Sequence, residues 1–442
     1  MSLLGIAWRS IRQRLFTSGL TALSLALGVA LVVATLVIGG VVRDAFASGQ
    51  GLGYNLIVGA KGSPLQLVLN SVYLVSKPIE NISWDYYQEF LPAEARADQV
   101  AGRYAGSVAK AVPICMGDYF RSFRVVGTNA AYFDVLTLGD GRPFRFSAGK
   151  NFRADEFFGG VLGNTVAATL GLAVGDTFSP THGADDGLVH DPFTVTGILA
   201  RTDTPVDRGV YVNMEGFYLQ EGHAKPLPEG DALNPAGAKA APRAPAGNPA
   251  PLPFARREVT AILVETASPG GMPPELLAMG LKTAINEGPD GQAAEPVREI
   301  RTLLDLFVRP LELLLLLVTT LVVIVSAIGI LVSMVGSALE RSRDVAVMRA
   351  LGARRSHVLT AVLLEAIILA VGGGLVGWLL GHGIVAAIGP LITTNAGVSA
   401  SIFSAAPLAE ALLVPFLVIL AIAAALLPAI AAYRTDVAKW LG

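Results

Sequence analysis

The chain has 442 residues, 52% of them hydrophobic and 15% charged, with a mean hydropathy of +0.56. That balance excludes an ordinary soluble enzyme and fits a membrane protein with a substantial polar portion. A formal net charge of −2 gives no basic field for nucleic acid, and a single cysteine, Cys115, excludes an intramolecular disulfide or a multi-cysteine zinc site.

Residues 1–14 carry Arg9, Arg12 and Arg14 and make a basic N-terminal segment. From Leu15 to Val42 the chain is uncharged. As a helix, that run would reach roughly 42 Å, enough to cross a bilayer. The basic start and the small residues at Ala45–Ala47 also suit a signal peptide, but the apolar run is about twice the usual length of a signal-peptide core, so a retained first span over 15–42 is expected.

The segment 43–310 reads as one mixed α/β domain. YNLIVG (54–59) predicts a strand ending in a turn, and Ser83 is placed to cap a helix starting WDYYQEFL. RSFRVVGT and FTVTGILA carry the alternation of half-buried strands, and REVTAILVET (257–266) reads as one more. GGVLGNTVAATLGLAVGDTFSP predicts a strand, a short helix and a strand. Residues 221–253 are rich in Pro, Ala and Gly and predict a mobile loop, because they offer little apolar surface to offset ordering entropy. A stalk helix near 296–312 follows.

Three further apolar runs predict spans over 313–339, 360–388 and 408–433. The third is expected to stop near Pro390, before a short polar link at 389–407. Between the second and third spans, residues 340–357 are dense in charge. Arg341, Arg343, Arg349, Arg354 and Arg355 lie there, and Arg434 and Lys439 lie in the tail 434–442; the 389–407 link has no Lys or Arg. By the positive-inside rule both termini and the 340–357 loop are cytoplasmic, and the 43–310 domain is outside. The fold class is therefore an α-helical membrane protein with four transmembrane helices and a large extracytoplasmic mixed α+β domain inserted between helices 1 and 2.

Chemistry is sparse. The chain has no phosphate loop of the GxxxxGK[ST] kind, no HExxH and no GxSxG. THGADDGLVHD brings His182, Asp185, Asp186, His190 and Asp191 close in sequence. Imidazoles and carboxylates so spaced could hold a divalent metal, but a solvated hairpin explains the same composition and is the preferred reading. Within the third span Gly373, Gly377 and Gly381 recur four apart, a face that lets another helix approach closely. Its partner is open: span one, span two or a second subunit. Glu365, one turn inside the same span, calls for a partner such as an Arg of the loop, and His382 is given no role.

The loop itself is patterned. Glu340 with Arg343 and Arg341 with Asp344 make i,i+3 pairs, Val345, Met348 and Leu351 share a face, and Gly352 ends the helix. A plain topogenic anchor needs only the Arg residues. An ordered apolar ridge rimmed by Arg points to docking on a partner.

ERSRDVAVMRALGARRSHVLTAVLLEAIILAVGGGLVGWLLG resembles the signature of the FtsX-like permeases, the group that contains MacB and the LolC/LolE lipoprotein extractors. AWRSIRQRLFTSGLTALSLALGVAL resembles that family's amphipathic entry helix, here over 1–14, and first span; GTNAAYFDVLTLGDGRPF and GNTVAATLGLAVGDTF resemble its periplasmic core domain, and PAIAAYRTDVAKWL its C-terminal tail. Asp344, Val345-Ala346 and Val437 depart mildly from the usual pattern. The resemblance implies a permease subunit of a type VII ABC system in the inner membrane, acting as a homodimer or with a sister permease. Cytoplasmic ATPases would dock on Glu340–Arg355, with Met348 and Arg349 at the contact and Glu365 holding the coupling helix to span three. It implies no cofactor bound by this chain, ATP and Mg²⁺ entering through a separate ATPase chain, and a periplasmic adaptor or cargo protein as a further partner beside membrane lipid. Export or extraction of a hydrophobic, peptide-like or lipoprotein cargo is the expected function. FtsX-like signalling to a periplasmic hydrolase without transport, or a part in metal uptake, are the alternatives.

Overall fold

The computed structural model describes residues 2–48, 52–183, 187–225, 249–268, 270, 273–340, 354–396 and 407–433. They fall into two compact units: Phe46–Leu304, and Met1–Ala45 together with Asp305–Gly442.

The inserted unit is built on an eleven-stranded mixed sheet. Nine strands run across it in the order Gln292–Ala294, Leu56–Gly59, Ala261–Thr266, Val108–Phe120, Phe123–Thr128, Val210–Asn213, Gly159–Leu162, Phe193–Leu199 and Phe146–Gly149. Two short strands lie off this path: Thr177–Phe178 pairs with Phe193–Leu199, and Thr181–His182 pairs with Val108–Phe120. Most neighbours are antiparallel; Val210–Asn213 runs parallel to Phe123–Thr128, and Gly159–Leu162 parallel to Phe193–Leu199.

Both faces of this sheet are covered, so its central strands do not alternate in burial. Leu56, Val58, Val125, Leu162, Val210 and Val212 point into one apolar layer, while Ile57, Val126, Val161 and Tyr211 point into the other. Short helices close the layers, Pro64–Ser71 through Leu67 and Val68 on one side and Pro274–Glu287 through Leu281 and Ile285 on the other. Phe123–Thr128, expected to be half-buried, is buried along its whole length for this reason, whereas Phe193–Leu199 shows the expected alternation.

Local chemistry explains several boundaries. The Ser83 hydroxyl accepts the Tyr86 backbone N–H at 3.2 Å and caps Trp84–Gln88, a helix of five residues rather than the longer one expected. Gly171, at φ +67°, ends Asn164–Leu170 in the left-handed conformation that only glycine adopts without strain. The 257–266 stretch is two strands: Glu258–Val259 pairs with Ile82–Ser83, and Ala261–Thr266 pairs with Leu56–Gly59 and Val108–Phe120. Both ends of the segment expected to be a mobile loop are held. Lys225 and Arg256 exchange two hydrogen bonds at 3.1 Å, and Leu252 is buried with its carbonyl accepting from Arg257 Nε at 2.7 Å. Residues 226–248 lie outside the described residues.

The second unit is helical. An N-terminal helix, Leu3–Gln13, capped by Ser2, buries Ala7, Ser10 and Ile11 at helical spacing and exposes Leu4 and Trp8. Four long helices follow: Leu15–Ser48, Arg309–Glu340, Arg355–Ala396 and Pro407–Tyr433. Among the described residues, three stretches are long and apolar enough to cross a membrane, at Leu15–Arg43, Pro296–Gly336 and Ser356–Gly389; the last helix is apolar over the shorter Glu410–Leu426. The 296–312 region is a helix, Pro296–Leu303, a π-helical turn, Leu304–Val308, and the start of the second long helix. The third helix does not stop at Pro390 but runs on to Ala396. Proline removes one backbone donor from the ladder, a loss that an apolar helix packed on neighbours tolerates.

Candidate functional site

Two places gather polar chemistry, one in each unit. In the helical unit, the glycines of the third long helix face the first. A Cβ at Gly373 would lie 2.8 Å from the Ala22 carbonyl oxygen, at Gly377 2.5 Å from that of Ala26, and at Gly381 2.8 Å from Val33 Cβ. The partner left open by the sequence is therefore the first helix, whose Leu25, Val29 and Val33 pack there. Ser24 and Ser326 lie with hydroxyls 3.2 Å apart and join the first helix to the second. Glu365 is buried, and Ser10 of the N-terminal helix donates its hydroxyl hydrogen to Glu365 Oε2. Toward the other end of the third helix, Trp378 Nε1 donates to Glu410 Oε2 at 3.1 Å and His382 Nε2 lies 3.5 Å from the same oxygen. His382 thus sits in a buried polar contact with the fourth helix.

In the inserted unit, three of the chain's five histidines converge on one carboxylate. Asp118 stands on the 108–120 strand, directly opposite His182 in the register of the short Thr181–His182 strand. That strand opens a hairpin: His182 N–H donates to the Leu188 carbonyl, and His190 N–H donates to that of Pro180, each at 2.9 Å. The hairpin thereby carries His190 back beside His182. His223 follows the Met214–Tyr218 helix, and Gln220 ties the two segments by accepting the Asp191 N–H at 2.9 Å.

Distances within the cluster are short. His223 Nε2 lies 3.0 Å from Asp118 Oδ1 and 3.2 Å from His182 Nδ1. His182 Nδ1 lies 3.4 Å from Asp118 Oδ1, and His190 Nε2 lies 3.4 Å from Asp118 Oδ2. The side chains of Asp118 and His190 are 1% exposed and that of His223 4%, whereas His182 is 37% exposed. Burial holds His190 below the usual histidine range, only partly opposed by the Asp118 carboxylate. His182 and His223 also line a cavity of about 190 Å³.

Sequence reading found His182 and His190 but paired them with Asp185 and Asp186, which lie outside the described residues. It missed Asp118 and His223, whose roles follow from strand pairing and a distant helix rather than local spacing. Most of the proposed docking segment also lies outside the described residues, including Arg341, Arg343, Asp344, Val345, Met348, Arg349, Leu351 and Gly352. Glu340 closes the second long helix, Arg354 is exposed and Arg355 opens the third.

The family model of the MacB-like periplasmic core domain matches residues 18–243, and that of the FtsX-like permease C-terminal region matches residues 316–437. The chain belongs to the MacB/FtsX-type ABC transporter permeases. As a permease of this type it is similar to the macrolide export ATP-binding/permease protein MacB of Azoarcus sp. (strain BH72), with 24% identity over 86% of this chain and 51% of that protein. Shorter stretches match MacB of Agrobacterium fabrum, 38% identical over 19% of this chain and 13% of the relative, and the uncharacterized ABC transporter permease YknZ of Bacillus subtilis, 40% identical over 14% and 15%. This permease thus spans about half the length of the Azoarcus relative and smaller shares of the others. Its MacB-like core domain carries the histidine cluster, and its FtsX-like region carries Glu365 and the glycine seam.

Proposed function

We propose that this permease has four spans in the inner membrane, with both termini and residues 340–355 in the cytoplasm, and works as a dimer with separate cytoplasmic ATPases. ATP hydrolysis there drives conformational work by the inserted domain outside the membrane, exporting or extracting a hydrophobic, peptide-like or lipoprotein cargo. The observation that carries this reading is the bonded path leading away from the charged loop. The third helix begins at Arg355, is tied to the N-terminal helix through Glu365 and Ser10, and is seated on the first helix through Gly373, Gly377 and Gly381. A displacement of the loop is thereby delivered to two neighbours as a rigid movement, since close-packed interfaces shift between discrete arrangements rather than deform smoothly.

Docking rests on Met348 within the apolar ridge and Arg349 at its rim. The ATPase should co-purify with the wild-type chain and be lost with Met348→Asp or Arg349→Glu. Retention of the ATPase by both variants, folded and in the membrane, would remove the docking reading.

A further inference from the structure

The geometry points to a divalent transition-metal site in the core domain, made by Asp118, His182, His190 and His223 and suited to zinc. It stands independently of the ATPase reading.

The first argument is the arrangement of polar atoms. His223 Nδ1 lies 2.8 Å from the Phe217 carbonyl oxygen, which only accepts, so Nδ1 carries the proton and donates it. Its other nitrogen, Nε2, faces Asp118 Oδ1 and His182 Nδ1. On the other side of the carboxylate, Asp118 Oδ2 and His190 Nε2 are both buried and neither has a hydrogen-bond partner among the described residues. Polar atoms gathered around a buried carboxylate in this way call for a shared partner. One divalent cation, taking one ligand atom from each of the four residues, supplies it.

The second argument is geometric. The four donor atoms lie within 4.8 Å of one another. A tetrahedral ion with bonds of 2.0–2.1 Å sets its ligands about 3.3 Å apart. His223 Nε2, His182 Nδ1 and Asp118 Oδ1 lie 3.0, 3.2 and 3.4 Å from one another, which brackets that value, and His190 Nε2 completes a set held within 4.8 Å. The Phe217 carbonyl on His223 Nδ1 is the kind of outer contact that fixes a ligating imidazole in its tautomer. Three imidazoles and one carboxylate select zinc or copper over Mg²⁺ and Ca²⁺, which take oxygen ligands. Four protein donors leave no open position, which suits holding an ion rather than chemistry on it. Metal loading would pin His182, His190 and the segment at His223 to the 108–120 strand.

The test uses the full untagged chain in detergent, stripped with a chelator and titrated with Zn²⁺ against a chromogenic indicator. One zinc per chain is expected in the wild type. Loss of an outer-shell partner alone costs 10- to 100-fold in affinity, so His182→Ala/His190→Ala should weaken binding by about 100-fold or more. Zinc-edge X-ray absorption on the loaded wild type should report three nitrogens and one oxygen at about 2.0–2.1 Å, a readout that does not depend on any variant folding. The absence of stoichiometric zinc binding in the wild type, unchanged affinity in the double variant, or a spectrum without imidazole ligands would each overturn the site.

Discussion

Gly377→Ala tests the helix seam directly. The added methyl would sit 2.5 Å from the Ala26 carbonyl oxygen and 2.7 Å from Val29 Cβ, and neither belongs to the flexible end of a side chain. The two backbones must part by roughly 1 Å to reach ordinary contact distance. Overpacking of this kind costs about 1–3 kcal/mol. Alanine's better helix propensity returns about 1 kcal/mol, leaving a net loss of up to about 2 kcal/mol. Gly372→Ala is the control: its methyl meets nothing within 4 Å, so only the propensity gain remains. SDS-induced unfolding of the full chain in micelles, read by pulse proteolysis, separates the two. One displacement relieves both clashes, so Gly377→Ala/Gly381→Ala should cost less than the sum of its single changes. Equal stability of Gly377→Ala and Gly372→Ala would refute the close approach.

Two further outcomes follow from the inserted unit. Arg257, 2% exposed, bonds both Glu215 oxygens at 2.7 and 2.9 Å and lies against Trp84, Tyr218 and Phe254. Arg257→Ala should destabilise by about 3–5 kcal/mol because it strands a carboxylate, while Arg257→Met/Glu215→Met should cost less than that single change; scanning calorimetry of the full chain measures both. Burial pushes the Cys115 thiol up to about 12. The reactive thiolate is therefore scarce from neutral pH to about pH 10, and maleimide should label the native chain far more slowly than the denatured one, as mass spectrometry would show.

The membrane helices were legible because a spanning helix must be apolar along its whole length, a demand that leaves uncharged runs in any sequence. The glycine spacing was legible too, but not its partner, since Ala26 and Val33 lie on a helix separated from it by the entire inserted unit. Inside that unit, the short helix at Asn164–Leu170 announced itself between its flanking strands. The 13-residue strand Val108–Phe120, central to the sheet, did not: it contains Pro113 and Gly117 and lacks clean alternation. Asp118 was lost with it. Half of the metal cluster could be read from THGADDGLVHD, but its carboxylate comes from a strand pairing and its third imidazole from beyond the next helix, neither of which leaves a local signature. A weak signal was available: three of only five histidines fall between 182 and 223.

The measurement closest to the central claim is cross-linking at position 348. In a Cys115→Ser background, Met348→Cys should form a specific cross-link to the cytoplasmic ATPase in native membranes and resist a membrane-impermeant maleimide applied from outside. Labelling from the outer face, or the absence of any cross-link with the ATPase present and the permease folded, would contradict the account.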